Sequence, residues 1–591
     1  MRAATAVVVL AAAAAVFVAL GGGSGPAASA ATTTTQEQPN VVVLMSDDQT
    51  LEEMRFMPAT ERLIGGAGAT FTNTVTNWPL CCPSRATLLT GQYAHNHGVL
   101  GNAAPQGGFD QLNADRTLPV WLQRAGYWTV HIGKFLNGYE NSAVGVPPGW
   151  SDWHGSKKTY FYYGYQLLEA GQVVTYGSVN EDPDAPADPD SYSTDVFTDK
   201  AVAAIADRAP SDQPFFLSLS YLAPHSGQPD GGRCGNSAKP AARHAGLLDD
   251  EPLPQPPNLN EADTSDKPRS ISDLEPLTPE QLARTTTNYR CRAESLLAID
   301  ESVERVVEQL RASGELRNTL VIYESDNGFF HGEHRLSGGK NKVYEEAIRV
   351  PLLMRGPGIP RGVTVADETV NADVAPTIVD AAGAKAGLPQ DGMSLLPFAA
   401  HPERMHGREV LIEQDPPNLP SGRPRGTEYE AIRTDRYKFV RYWNNEIELY
   451  DLAADPYELD NVARDPAFAE VQRALSVRLE KLAVCAGKTC RTKPAMKLEL
   501  PDQVRRGGKR CRKAGDFVAA VKRPGDDPWN SLVRVSFRVS GEDAGNDAAA
   551  PFKRRLSSRL LREQPKPLIE ADAELVDGRI LTLTERVRIC R

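Results

Sequence analysis

The apolar pattern of this chain predicts an α/β fold, a mostly parallel sheet covered by helices, and three observations carry that prediction. Four short runs are nearly continuous in apolar character and rich in β-branched or aromatic residues, the mark of strands buried on both faces. They are "NVVVLMS" (Asn40–Ser46), "WTVHIG" (Trp128–Gly133), "PFFLSLSYL" (Pro214–Leu222) and "TLVIYES" (Thr319–Ser325). Segments with helical periodicity alternate with them, such as "LLAIDESVERVVEQLRASG" (Leu296–Gly314), which stops at glycine. Short alternating strands, the pattern of antiparallel sheet, set in from Tyr429.

At 591 residues the chain exceeds a single core, so one large domain with appended parts is expected. Arg2, the apolar run Ala3–Leu20 and the small residues "AASA" read as an export signal over residues 1–30, cut after Ala30. That places the mature protein outside the cell, secreted or at the cell surface. No later apolar run is long enough to span a bilayer, so no stable membrane insertion is expected. The α/β domain is expected over residues 38–397. A Pro-rich, acidic stretch from Gly231 to Pro279 reads as a long surface insertion and a candidate pocket rim. Residues 398–500, with "YEAIRTDRYKFVRY" and "IELYDL", suggest a small antiparallel subdomain. Residues 501–591, with "LVRVSFRVSG" and "RILTLTERVRIC", suggest a compact, basic β-sandwich-like module.

Export changes the reading of the eight cysteines. Cys485 can close a small loop with Cys490, Cys511 can staple the tail to Cys590, and Cys234 can pair with Cys291 across the Pro-rich stretch. Cys81 and Cys82 remain. Net charge is −11 but uneven: from Leu500 onward there are 20 Lys+Arg against 13 Asp+Glu, leaving −18 on the rest. An acidic body argues against a nucleic-acid partner. The basic run "RRGGKRCRK" (Arg505–Lys513) fits a solvated face or a hold on a polyanionic polysaccharide.

Each predicted strand runs into reactive residues: Asp47 and Asp48 after the first, Lys134 after the second, His225 after the third, Asp326 and Asn327 after the fourth. In open parallel sheets ligands bind beyond the carboxyl ends of the strands. Singly, "DD" is a common turn or cap and "DNG" a common tight turn; as a set they read as a site. Three carboxylates and an amide are hard oxygen ligands that suit Ca²⁺, or Mg²⁺, better than zinc. Arg85, Lys134 and Lys340 add fixed positive charge, which suits a tetrahedral oxyanion: sulfate, phosphate or phosphonate. Pro83 fits the first turn of a helix ended by Gly91, so Cys81 and Cys82 fall at a helix N-terminus, where backbone N–H groups favour an anion.

"CCPSRATLLTG" resembles the C-x-P-S-R-x-x-x-x-T-G signature of the type I sulfatases. "SDDQ", "GKFLNGY", "APH" and "SDNGFFHGEHRLSGGKNKVYEEAIRVPLLMRGPG" are similar to the family's metal, lysine, histidine and second-lysine motifs, and "ELYDLAADPYELDNVA" resembles its closing subdomain. The details look closest to the N-acetylglucosamine-6-sulfatase branch. The resemblance implies an alkaline-phosphatase-like fold. It implies that a formylglycine-generating enzyme oxidises Cys81 to formylglycine (3-oxoalanine), whose hydrate is the nucleophile and a metal ligand beside Asp47, Asp48, Asp326 and Asn327. Cys82 then takes a variable, structural position. Arg85 orients the hydrate, Lys134 and Lys340 (rather than Lys342) bind sulfate oxygens, and a protonated His225 serves the leaving oxygen. The family's frequent histidine two residues after the motif lysine is Leu136 here; either Asn137 supplies a polar contact instead, or the leaving group is handled without one. His95, His97, His331 and His334 are open between site and scaffold. The expected substrate is a sulfate ester, a sulfated sugar such as an N-acetylglucosamine-6-sulfate. The alternatives are a phosphonate or phosphodiester hydrolase with the same modified residue, and a catalytically silent protein binding sulfated polysaccharide.

Overall fold

The computed structural model describes residues 38–177, 188–229, 232–414, 429–491, 493–501, 503–506, 509–513, 515–522, 531–564 and 566–590; the export-signal reading lies outside them. All four predicted buried strands form: β1 (Asn40–Ser46), β2 (Trp128–Gly133), β3 (Phe215–Ser220) and β4 (Thr319–Ser325). They lie side by side in the order β4-β1-β3-β2, every pairing parallel. Short strands extend this centre into a ten-stranded sheet. Leu352–Arg355 adds antiparallel to β4, and Asp152–Ser156 adds parallel to β2.

Side chains alternate across a strand, so β1 feeds two cores. Val41, Val43 and Met45 pack with helix α1 (Cys81–Thr90) and the helices Leu118–Arg124 and Val374–Ala381. Val42 and Leu44 pack with α2 (Ser193–Arg208) and α3 (Pro279–Ala312) on the other face. Burying each such side chain contributes roughly 1.5–3 kcal/mol, and this two-sided burial is why the strands read as continuous apolar runs.

Helix α3 starts 17 residues before the predicted Leu296. Its first turns carry "TTTNYR", β-branched and polar residues of modest helix propensity, which hide it in the sequence. A capping box between Thr278 and Gln281, with Pro279 as the first helical residue, fixes the start. The insertion therefore ends at Thr278. Among its described residues it is turns and one short helix, Arg269–Ser272.

Beyond the large sheet, Glu409–Gln414, Tyr429–Thr434, Tyr437–Tyr442 and Ile447–Asp451 form a four-stranded antiparallel sheet, covered by the helix Ala469–Leu482. In the tail, a four-stranded and a three-stranded antiparallel sheet share one core, which includes Val521, Val535, Phe537 and Leu556. Separate from both is the two-stranded hairpin Val504–Arg506 and Lys509–Cys511. Cys234–Cys291, Cys485–Cys490 and Cys511–Cys590 are disulfides, whereas Cys81 and Cys82 are buried free thiols. Among the described residues no helix is long and apolar enough to cross a membrane.

Candidate active site

The sheet order β4-β1-β3-β2 brings the residues that follow each strand to one edge. Asp47 and Asp48 leave β1, Lys134 leaves β2, and Asp326 and Asn327 leave β4. Two backbone conformations sharpen these turns. Gly133 has φ of 100°, and a Cβ there would stand 2.0 Å from the Ser220 carbonyl oxygen, so only glycine lets Lys134 turn in. Asp48 holds φ of 70°, an uncommon state for a non-glycine residue that is often stored at functional sites.

Helix α1 presents Cys81 to this edge. Its Sγ lies 3.0 Å from Lys340 Nζ and 3.7 Å from Asp47 Oδ1. Ser84 Oγ donates to the Asp326 carbonyl at 2.5 Å. Arg85 donates through Nε to Asp326 Oδ2 at 2.8 Å and through Nη1 to the Lys134 carbonyl at 3.0 Å. The residues after the cysteines thus lock helix, β2 loop and β4 loop together. Lys134 pairs with Asp47 and Lys340 with Asp48. Asn327 Nδ2 donates to Asp48 Oδ1 at 2.7 Å, and Asp326 Oδ1 accepts from the backbone N–H groups of Asp48 and Asn327.

Ligand atoms of Asp47, Asp48, Cys81 and His225 all lie within 4.8 Å of one another, and Asp326 and Asn327 join this group through the hydrogen bonds just described. Burial raises the Asp47 and Asp48 carboxyls, but the positive groups around them, Lys134, His225, Arg85 and Lys340 for Asp47 and chiefly Lys340 with His225 for Asp48, together outweigh it and lower both. Burial, with the Asp47 charge, pushes Asp326 up instead. Burial also raises the Cys81 thiol to about 11 despite Lys134 and Lys340, so an unmodified Cys81 is a protonated thiol near neutrality. His225 Nε2 faces Asp48 Oδ2 at 3.6 Å, and its Nδ1 donates to the Ser226 carbonyl at 2.7 Å. Burial holds this imidazole at about 4, which makes it neutral near pH 7.

Sequence reasoning missed two contributors. Tyr160 packs against the His225 ring at a tilt of 36° (5.1 Å between centroids), covers Lys134 Nζ (5.4 Å from its ring) and takes a hydrogen bond from Asn137. Arg292, buried on α3, donates to the Asp48 carbonyl at 2.5 Å and the Pro224 carbonyl at 3.0 Å and pairs with Glu53. Neither stands in a motif; the aromatic run Tyr160–Tyr163 and the neighbouring Cys291 were the available signals.

The open histidines separate. His95 pairs with Glu413 at 2.9 Å and His97 meets Thr87 Oγ1 at 3.0 Å, both as scaffold. His331 faces Glu53 at 3.3 Å, and His334, stacked on Tyr344, holds Glu261 at 2.6 Å. Leu136 is core, while Asn137 serves Cys82 and Tyr160. A cavity of about 520 Å³ is lined by Thr50 and Phe329, each two residues past a site residue, with Pro254, Gln255 and Tyr457. The insertion thus does form part of a pocket wall.

Comparisons with known proteins agree with this picture. The family profile described as Sulfatase matches residues 39–384, and the profile N-sulphoglucosamine sulphohydrolase, C-terminal, matches residues 332–484. The N-acetylglucosamine-6-sulfatase of Capra hircus is 33% identical over 489 residues, covering 75% of this chain and 83% of the goat protein. An extracellular sulfatase Sulf-1 homolog of Caenorhabditis elegans is 36% identical over 361 residues, 60% of this chain; the match spans only 48% of that relative's length. A solved structure of a protein in complex with its substrate, D-glucosamine-2-N,6-O-disulfate, aligns with a TM-score of 0.63 at 26% identity, over 77% of this chain and 98% of that one. Fold and family matches thus define an alkaline-phosphatase-like α/β hydrolase. The chain belongs to the sulfatase family. Within it, it is a type I sulfatase of the N-acetylglucosamine-6-sulfatase-like branch.

Proposed function

We propose that this protein is an exported sulfatase that removes sulfate from a sugar carrying an N-acetylglucosamine-6-sulfate-like ester, with Cys81 matured to formylglycine by a formylglycine-generating enzyme. The observation that carries the reading is Cys81 Sγ standing 3.0 Å from Lys340 and 3.7 Å from Asp47, between buried cations and carboxylates. Similarity to a protein named for N-acetylglucosamine-6-sulfate, and to one solved with a 6-O-sulfated glucosamine, supports the choice of sugar.

The donor set fits a hard divalent cation, Ca²⁺ or Mg²⁺. Asp47, Asp48 and Asp326 supply carboxylate oxygens, and Asn327 Oδ1 is buried with no hydrogen-bond donor among the described residues. When present, the cation supplies Lewis acidity and formylglycine at position 81 supplies the nucleophilic hydroxyl. Everything else falls to this chain's own side chains. Lys134 and Lys340 hold the sulfate oxygens; Arg85, fixed by Asp326, holds residue 81 in line. His225 Nδ1–H is committed to the Ser226 carbonyl, so Nε2 is the atom that carries a proton to the leaving sugar oxygen. Burial holds it at about 4 and neutral at pH 7, and the negative charge of the bound ester favours its taking up that proton from water.

The test is the mass of the peptide containing position 81 from protein made in its secreting host, with turnover of aryl sulfate against aryl phosphodiester. Formylglycine at 81 with cysteine at 82, and calcium-dependent preference for the sulfate, is the expected result. Two unmodified cysteines from a host with a competent modifying system would sink the reading. Lys134→Ala and Lys340→Ala are each expected to lower kcat about 10²–10³-fold, measured on the same aryl sulfate.

A further inference from the structure

The basic run in the tail has no part in the chemistry above, yet it folds into something specific. Val504–Arg506 and Lys509–Cys511 form a hairpin that, among the described residues, pairs with no other sheet. Isolated two-stranded hairpins are marginal in water. This one is held at its base by the Cys511–Cys590 disulfide and by Arg512, whose N–H donates to the Arg588 carbonyl and whose carbonyl accepts from Cys590. In its register Arg505 stands directly opposite Arg510. Like charges in directly opposed positions destabilise a strand pair, so the hairpin spends stability to keep two guanidinium groups side by side.

Those two arginines line a cleft of about 850 Å³ together with Lys497, Glu499, Arg512 and Glu585. Both carboxylates are already engaged: Glu499 with Lys522 at 2.7 Å and Glu585 with Arg512 at 2.5 Å. Lys497, Arg505 and Arg510 are exposed and have no carboxylate partner among the described residues. Arg512 is 6% exposed, and its buried Nε–H lacks an acceptor among the described residues. The cleft is a concave, disulfide-braced concentration of uncompensated positive charge on an otherwise acidic protein.

We infer that this cleft is an accessory binding site for the sulfate groups of a polysaccharide, separate from the catalytic centre. Arginine pairs suit sulfate because the guanidinium fork donates two parallel N–H bonds to an oxyanion. The choice of a sulfated glycan over a nucleic acid rests on the sulfatase reading and on the charge of −18 over the rest of the chain. The site tethers the polymer whose esters the catalytic centre removes, and it lowers the effective KM for long substrates without touching turnover of small ones.

The experiment measures binding of the full-length Cys81→Ala protein to immobilised heparin, to unsulfated dextran and to double-stranded DNA, with and without Arg505→Ala/Arg510→Ala. The expected result is salt-sensitive heparin binding, weakened at least tenfold by the double alanine variant and kept within threefold by Arg505→Lys/Arg510→Lys. Dextran should not bind, and DNA should bind at least tenfold more weakly than heparin. The same arginine substitutions with Cys81 intact should leave aryl sulfate kcat/KM unchanged, which also shows that the variants fold. Undiminished heparin binding by the double alanine variant overturns the site, and equal affinity for DNA overturns its assignment to a glycan. Failure of the sulfatase reading would show separately, as an absence of aryl sulfate turnover in the parent while heparin binding persists.

Discussion

Cys81 and Cys82 are neighbours with different surroundings. Cys81 faces Lys340 and Asp47, whereas Cys82 Sγ accepts the Asn137 backbone N–H at 2.9 Å, and its own N–H donates to Asn102 Oδ1 at 2.9 Å. Cys81→Ala should abolish turnover. Cys82→Ala should stay within threefold of the parent in kcat but lose about 1–3 kcal/mol of stability, because the Asn137 N–H is left without its acceptor. Urea unfolding checks the loss, and Cys82→Ser, which keeps an acceptor, should recover part of it. The sequence made the proposed role of Cys81 legible because its candidate partners are concentrated in contiguous motifs. Tyr160 escaped notice because its role exists only once the chain folds it over Lys134 and His225.

At the scale of elements, strands were the readable part. Burial on both faces writes itself into composition, so β1 and β4 appear with their ends in place. Helix α3 was legible only where its apolar stripe is regular, and its polar first turns are fixed by a cap and by tertiary contacts. Those turns matter, because they carry Cys291 and Arg292 toward the Asp48 loop. Opening the Cys234–Cys291 disulfide, whose partners are 57 residues apart, should cost about 4 kcal/mol by loop-closure entropy. Cys234→Ser/Cys291→Ser should also lower kcat through a looser Arg292, and thermal unfolding beside aryl sulfate turnover would show both. The short helix Ala94–His97 makes a different prediction. Burial pulls the His95 imidazole down, but the Glu413 carboxylate bonded to it outweighs this and raises it to about 9. A raised histidine stabilises fully below pH 6.5 and loses that contribution as pH climbs through about 9, on the order of 2 kcal/mol. His95→Gln should flatten the stability profile between those pH values; an unchanged profile would refute the pairing's role.

Across the whole molecule, the tail is joined to the four-stranded sheet by buried charge. Arg579, 1% exposed, pairs with Asp577 at 2.7 Å and with Glu409 at 3.1 Å, while Glu409 also holds Arg478. Removing one member of such a set leaves the others buried and uncompensated, so Arg579→Ala should cost about 3–5 kcal/mol. Because this junction lies outside the catalytic group, KM for a small aryl sulfate should hold at temperatures below the lowered melting point. None of this was visible in the sequence, where Arg579 is one basic residue among many. Long-range ion pairs leave no periodic trace.

One consequence of the fold concerns time. Residue 81 is 1% exposed, at the first turn of a helix whose ten residues are all buried. An enzyme that must grasp the segment around this cysteine cannot do so once the sheet has closed over it. On the proposed reading, oxidation of position 81 and folding compete for the same chain, and the ratio of their rates sets the yield. On that reading, a molecule that folds first keeps residue 81 out of reach of the maturing enzyme for as long as it stays folded.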